Sequence, residues 1–320
     1  MNNFRKCPCC NFEDNKKIFF EFSEKYLKNR HRYDEDELSY WLSTSDEKKI
    51  HIVQCTKCNM IYTKNKIDFE EMTKSLKKTF NKPLSLLSFK EKYENVTPTK
   101  LQISIHTTLQ LIKLMNNKKE LKILDFGGGS AGVHSRIANF FGKSRCYTYD
   151  ITIEENDIDG VKFVNNIKTL EKNAPFDIIF CNEVLEHCLD PKKEIESIYR
   201  LLSADGYAVL SVPLFNYNRL KKYKKDILRR KGWAFKNFHL GHINYYSPKL
   251  FVNSLKLAKF KIVPVYIDFR YSRLYDKSDK KNFIWFFEYL IRYFLFRFFL
   301  FFNYFPNISN IVNSNFVIKK

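Results

Sequence analysis

The stretch LKILDFGGGSAG, residues 121–132, leaves the chain few folds to choose from. An apolar run passes straight into glycines at 127, 129 and 132, spaced G-x-G-x-x-G, and a helical pattern begins behind them. Glycines there let the backbone turn tightly and approach a ligand closely, and a helix N-terminus favours negative or polar groups. The spacing alone fits nicotinamide-dinucleotide enzymes as well. Asp125 tilts the reading elsewhere, because dinucleotide folds usually carry an apolar residue two positions before the first glycine. An acid there can attract the cationic amino group of an amino-acid-like cofactor. A second acid, Asp150, ends the next β-rich run, where a carboxylate can accept both hydroxyls of a ribose.

Further β-rich runs follow at a regular pitch: CYTYDI (146–151), VKFV (161–164), FDIIFC (176–181) and YAVLSVP (207–213). Helical stretches separate them, notably 133–141 and 191–202, and another precedes them over 99–117. Strand alternating with helix predicts a parallel sheet covered on both faces. KIVPVYIDF (261–269) adds a strand after a helix that Ser247 can cap and Pro248 can begin. SNFVIKK (314–320) reads as a closing strand.

Asp125-Phe126-Gly127-Gly128-Gly129, Asp150, FDIIFCNEVLEHCLDP (176–191) and LLSADGYAVLSVP (201–213) together carry a resemblance. Over roughly residues 99–320 the chain resembles the class I S-adenosylmethionine-dependent methyltransferases. The resemblance implies a doubly wound, mostly parallel α/β sheet of seven strands. It also implies S-adenosylmethionine held by Asp125, Gly127, Gly128, Gly129 and Asp150, with Asn182 at the end of strand four. The family takes an adenine contact from the chain after strand three. Here Asn165 or Asn166 stands there, Asn166 being the assigned residue, and the usual acid is absent.

Residues 1–62 hold five of the eight cysteines. Cys7 with Cys10, and Cys55 with Cys58, form two C-x₂-C pairs, the donor set of a tetrahedral thiolate zinc site. Four thiolates leave no open position, so the expected Zn²⁺ is structural. Cys9 is a spare that could replace Cys7 or Cys10. The 44 residues between Cys10 and Cys55 exceed the common ribbon spacing of roughly 15–20. An insertion is therefore expected over 11–54, a hairpin with a helix near Asp36–Leu42. The start MNNFRKCPCC has no apolar run, which speaks for reduced thiols rather than a secreted disulfide frame. CPCC, then VQCTKCNMIY, then the core is similar to the bacterial methyltransferase subfamily with an N-terminal zinc-binding domain. Members of that subfamily often act on sugars or glycan precursors. Asn11 and Asn59 replace its knuckle glycines, and Asn tolerates left-handed backbone.

A sulfonium methyl donor needs no activation. The protein must hold the acceptor in line and dry, and a base is needed only for a hydroxyl or protonated amine. Open α/β sheets bind ligands at the carboxyl ends of their strands. Asn182, Glu183, Glu186 and His187 follow strand four there. His187 is a candidate base or loop-orienting residue, and Glu183 a candidate neighbour of the sulfonium. His239, His242, Tyr245 and Tyr246 lie in FHLGHINYYSP, expected to overhang the substrate side, with His242 the candidate for catalysis. His31, His51, His106 and His134 join no constellation legible in the sequence. Strand four continues Asn-Glu-Val rather than Asn/Asp-Pro-Pro-aromatic, which weighs against nucleobase methylation.

Charge sharpens the partner. The formal net charge is +20, and residues 216–282, with 18 Lys/Arg and 4 Asp, carry +14 of it. The densest part, RLKKYKKDILRRK (219–231), suits phosphate, anionic lipid or RNA. FIWFFEYLIRYFLFRFFLFFNYF (283–305) has 14 aromatics in 23 residues. A membrane span is argued against by internal Glu288, Arg292 and Arg297, and by a closing strand that must return to the same sheet. Helices lying in a membrane interface or on a partner are expected instead. The domain reading is a zinc-ribbon-like module at 1–62, a linker at 63–98 and a methyltransferase domain at 99–320. The latter includes a basic substrate-side loop at 219–246 and the hydrophobic helical insertion at 283–305. The expected activity is methyl transfer to a sugar or lipid-linked glycan precursor. The expected place is the cytoplasm, peripheral on the inner membrane face. RNA methylation and a non-catalytic cofactor-binding adaptor are the rivals.

Overall fold

The computed structural model describes residues 5–263 and 316–320, apart from 14–15, 30–34, 81–106, 110, 116–117, 141, 143 and 159. Within them the strands sort into two sheets. The first is antiparallel and built from β1 (Lys16–Ser23), β2 (Lys49–Cys55) and β3 (Ile61–Thr63). Between β1 and β2 lies an insertion of two helices, Glu24–Lys28 and Glu35–Ser43. Ser23 ends β1 and starts the first of these, its hydroxyl accepting the Tyr26 N–H at 3.3 Å. The second helix brings Trp41 and Leu42 into the core.

The second sheet is the larger. Its middle is β4 (Leu121–Phe126), β5 (Ser144–Tyr149), β7 (Val161–Val164), β8 (Phe176–Asn182) and β9 (Leu202–Ser211), all parallel. A short strand β6 (Asn156–Ile158) pairs antiparallel with β7 at one edge. Every residue of β8 before Asn182 is buried, as a strand with helices on both faces requires. β10 (Asn244–Tyr245) leaves this part of the chain and pairs with β3, becoming the fourth strand of the first sheet. β11 (Lys261–Ile262) and β12 (Phe316–Lys319) close the other edge, β12 lying antiparallel between β9 and β11. The spatial order β11-β12-β9-β8-β4-β5-β7-β6 holds the seven strands the sequence implies, with β6 as an eighth.

The closing strand lands where its sequence suggests, with Phe316, Val317 and Ile318 buried. The helix expected over 99–117 is present at 107–109 and 111–114, with Leu111 and Met115 buried. The stretch expected to link the two parts contains the helix Phe69–Phe80, and 81–98 lies outside the described residues. The hydrophobic stretch 283–305 and most of the strand expected at 261–269 also lie outside them.

The two sheets do not have separate cores. Cys7, Val53, Cys55, Met60 and Tyr62 share one apolar cluster with Leu124, Leu210, Leu214 and Tyr246. Phe20, Phe22, Trp41 and Ile50 share another with Phe215, Ile227, Phe238 and Tyr245. The basic helix Leu220–Leu228 packs into this second cluster through Ile227. Tyr26 donates its hydroxyl to the Ile227 carbonyl at 3.0 Å, and Arg230 donates to the Asn29 carbonyl at 3.0 Å. Its lysines 221, 222, 224 and 225 stay exposed.

Candidate functional site

The glycine loop folds back over the end of β5. Gly127 N–H donates to the Tyr149 carbonyl at 2.7 Å and Gly128 N–H to the same oxygen at 3.3 Å. Gly127 has φ +74°, and a Cβ built there would lie 2.4 Å from Val184 Cγ2, so loop and β8 exit meet without room for a side chain. Gly129 N–H donates to Asp150 Oδ2 at 3.0 Å. Asp150 Oδ1 accepts the N–H of Thr152 at 2.8 Å and its hydroxyl at 2.6 Å. The carboxylate assigned to a ribose is thus clamped in one orientation, with both lone pairs of Oδ1 engaged and one left on Oδ2.

Asp125 is 4% exposed. Its Oδ2 accepts the His134 N–H at 2.9 Å, and the Ser135 N–H also stabilises it, so the carboxyl anchors the start of the helix Val133–Phe140. Gly128 lies over it, and a Cβ there would be 2.8 Å from Asp125 Cγ. Burial pushes the carboxyl up to about 7 against the pull of those N–H groups. The sequence reading aims this acid at a ligand's amino group; the structure sets it beneath the loop, one backbone layer away.

Asp150 N–H donates to the Val164 carbonyl at 3.1 Å, which brings the chain after β7 beside that carboxylate. Asn165 and Asn166 are both exposed there. Asn165 donates its amide to the Ile153 carbonyl at 3.1 Å. Asn166 caps the helix Ile167–Asn173, its oxygen accepting the Lys168 N–H at 2.9 Å.

One residue that sequence reasoning passed over holds the cleft together. His134 stacks on Phe180 with ring centroids 4.2 Å apart and planes 7° from parallel. Ser211 donates to Asn182 Oδ1 at 3.1 Å, and the Asn182 amide donates to His134 Nε2 at 2.6 Å. The ring proton is therefore on Nδ1, donated to Thr108 Oγ1 at 3.0 Å. Burial alone depresses the imidazole to about 3, so it stays neutral. Its signal in the sequence is a polar residue in the first turn of a helix that otherwise faces the sheet.

After β8 the backbone turns sharply at Glu183, φ +56°, whose N–H donates to the Ser211 carbonyl at 3.0 Å and whose side chain is exposed. Glu186 is 1% exposed, and burial, then the neighbouring Glu183 carboxyl, hold its own carboxyl well above the ordinary carboxylate range, against the pull of its own backbone N–H. Its own carbonyl accepts the N–H groups of Ile243 at 2.8 Å and Asn244 at 3.0 Å. The Asn244 amide reaches the Leu185 and Cys188 carbonyls at 3.0 and 2.6 Å. Arg5, from the N-terminal part, donates to the Leu189 carbonyl at 3.0 Å and to Asn244 Oδ1 at 3.2 Å. These bonds lock the β8 exit to the segment 241–244. They bring His187 and His242 together, rings 4.7 Å apart, with His242 Nε2 3.9 Å from Glu186 Oε1. His239 packs on His242 at 3.9 Å between centroids. Tyr245 and Tyr246, expected on the substrate side, are instead buried: Tyr245 stacks on Phe238 at 4.4 Å and Tyr246 packs against Phe251. Pairing of β10 with β3 turns both rings into the core, a contact no local pattern announces.

Cys7, Cys10, Cys55 and Cys58 converge with all four Sγ atoms within 4.8 Å of one another. The Cys7–Cys58 and Cys10–Cys55 sulfurs are 3.5 and 3.7 Å apart, close to the roughly 3.8 Å edge of a tetrahedron with Zn–S bonds of about 2.3 Å. Both knuckles repeat one turn. Asn11 N–H donates to the Cys7 carbonyl and Asn59 N–H to the Cys55 carbonyl, each at 2.9 Å, with Asn11 at φ +55° and Asn59 at φ +63°. The donor set fits a structural zinc ion. Among the described residues no helix is long and apolar enough to cross a membrane.

Residues 101–265, just over half of the chain, match the family described as "Methyltransferase domain". The ubiquinone biosynthesis O-methyltransferase of Rickettsia typhi (strain ATCC VR-144 / Wilmington) is 29% identical over 150 residues, 43% of this chain and 59% of the relative. The enzyme of the same name from Rickettsia canadensis (strain McKiel) is 26% identical over 156 residues, 45% and 63% respectively. The chain thus spans about three-fifths of the length of these curated relatives. Among solved structures, a 1,6-didemethyltoxoflavin-N1-methyltransferase from Burkholderia thailandensis, with bound 1,6-didemethyltoxoflavin and S-adenosylhomocysteine, is 15% identical with a TM-score of 0.42. The match covers 70% of this chain and 90% of that one.

Proposed function

The chain belongs to the methyltransferase domain family, and from that premise we propose that it transfers a methyl group from S-adenosylmethionine to a hydroxyl of a sugar or glycan precursor. The observation that carries the reading is the clamp between the glycine loop and Asp150. Gly129 N–H fixes the carboxylate, while Gly127 and Gly128 pack so closely on Val184 and Asp125 that neither position admits a Cβ. When bound, S-adenosylmethionine supplies a methyl group on a positively charged sulfur. The residues that would hold it are Asp125, Gly127, Gly128, Gly129, Asp150, Asn166 and Asn182. Asp125 would offset its cationic charge through the loop, and Asp150 would accept a ribose hydroxyl on the remaining lone pair of Oδ2. Asn182, held by His134 and Ser211, would present one face to the cofactor.

The acceptor would lie against the β8 exit, where Glu183 is exposed and the Glu186–His187–His242 cluster can offset the charge of a departing proton. Oxygen as the acceptor atom is supported by the named O-methyltransferase relatives. The glycan class is supported by the zinc-module resemblance. Presentation at a membrane face is supported by the exposed lysines of the helix Leu220–Leu228. Radiolabelled methyl transfer from S-adenosylmethionine into cell-extract fractions tests this: label should enter the glycan and glycolipid fractions. Label confined to RNA would replace the acceptor, and none in any fraction, with cofactor still bound, would reduce the chain to a cofactor-binding adaptor.

A further inference from the structure

A buried carboxylate is costly to ionise, since desolvation penalises the charge. Glu186 is buried at 1% exposure, with the Glu183 carboxyl as a close neighbour. Beside it stand two imidazoles whose Nδ1 atoms are committed to backbone carbonyls: His187 to Gly241 at 2.6 Å and His242 to Asn237 at 2.9 Å. That arrangement protonates Nδ1 and leaves the lone pair on each Nε2, the way proteins commonly orient metal-binding histidines. One ligand atom from each of the three residues lies within 4.8 Å of the others. The set is two imidazoles and one carboxylate, three protein ligands that leave coordination positions open. The backbone around it is fixed by the Glu186 carbonyl bonds to Ile243 and Asn244 and by the Asn244 amide, so the ligands need only small side-chain movements to close on an ion.

We propose that Glu186, His187 and His242 bind a divalent first-row metal ion, separate from the cysteine site, with open positions facing the cleft. Ion binding stands on this geometry alone. Its use rests on the methyl-transfer reading: an acceptor hydroxyl on the ion would be acidified and aimed, which removes the need for a free imidazole base.

Mn²⁺ is the probe, because thiolates select softer ions and the cysteine cluster then competes little. Calorimetric titration of the full chain should show one Mn²⁺ site, weakened tenfold or more in Glu186→Gln. Binding of S-adenosylhomocysteine by both proteins reports that the variant is folded. In the unsubstituted chain with labelled imidazoles, Mn²⁺ should broaden the ring resonances of His187 and His242 and spare His51. No saturable Mn²⁺ binding, affinity unchanged in a folded Glu186→Gln, or broadening that spares His187 and His242 would each overturn the site. None of these readouts depends on methyl transfer, so failure of the acceptor assignment leaves them standing.

Discussion

The Asn182 amide, at the end of β8, donates to Nε2 of His134, 2.6 Å away in the first turn of the helix behind the glycine loop. This bond joins the two strand exits that frame the cleft, and the buried neutral ring passes it on to Thr108. His134→Phe keeps a ring to stack on Phe180 but strands the Asn182 amide. Each orphaned buried group costs about 1–3 kcal/mol. Urea denaturation should show a loss of that order, with weaker cofactor binding as Asn182 loses its orientation.

Gly127 and Gly129 share positive φ but not surroundings. A Cβ at 127 would strike Val184 at 2.4 Å, whereas at 129 the nearest atom is Asp150 Oδ2 at 4.0 Å. Gly129→Ala should show only the left-handed strain, about 1–2 kcal/mol. Gly127→Ala should cost more, because Val184 must move as well. Paired unfolding curves check the order, and calorimetry should find S-adenosylhomocysteine binding impaired further at 127.

Asp125 gives the cleft a pH dependence of known sign. Its carboxyl is raised from an ordinary 3.8 to about 7 in the folded chain, so between those values the unfolded chain loses a proton the folded chain keeps. Its contribution to stability therefore falls as pH rises across that window. A cationic cofactor favours the ionised carboxylate, so affinity for S-adenosylmethionine should rise with pH up to about 7, by at most tenfold per pH unit. Asp125→Asn should flatten both profiles, read by thermal unfolding and by calorimetry across pH 5–8.

Metal analysis should find about one tightly held zinc per chain, lost in Cys55→Ser. Because Cys7, Cys55, Met60 and Tyr62 share a core with Leu124 and Leu210, the loss should lower the stability of the whole fold. Circular dichroism should show one cooperative transition shifted downward; an unchanged transition for residues 107–263 would refute the shared core.

Much of this was written locally. Strand runs into glycines, Cys-x₂-Cys pairs, the Ser247-Pro248 helix start and a closing strand at 316–319 each arise from neighbours in sequence, because turn geometry, capping and thiolate spacing act over a few residues. Local pattern also reached Glu183, His187 and His242 as candidates, though not their arrangement. Only the tertiary structure buried Tyr245 and Tyr246, set Asp125 beneath Gly128 and made His134 a hub. It also placed Arg5 and Asn244 against the β8 exit. The Asn182–His134 and Arg5–Asn244 bonds among them join residues 48 and 239 apart in sequence. Side-chain burial and the fate of a charge are set by what packs on top, and that is settled when the chain closes on itself.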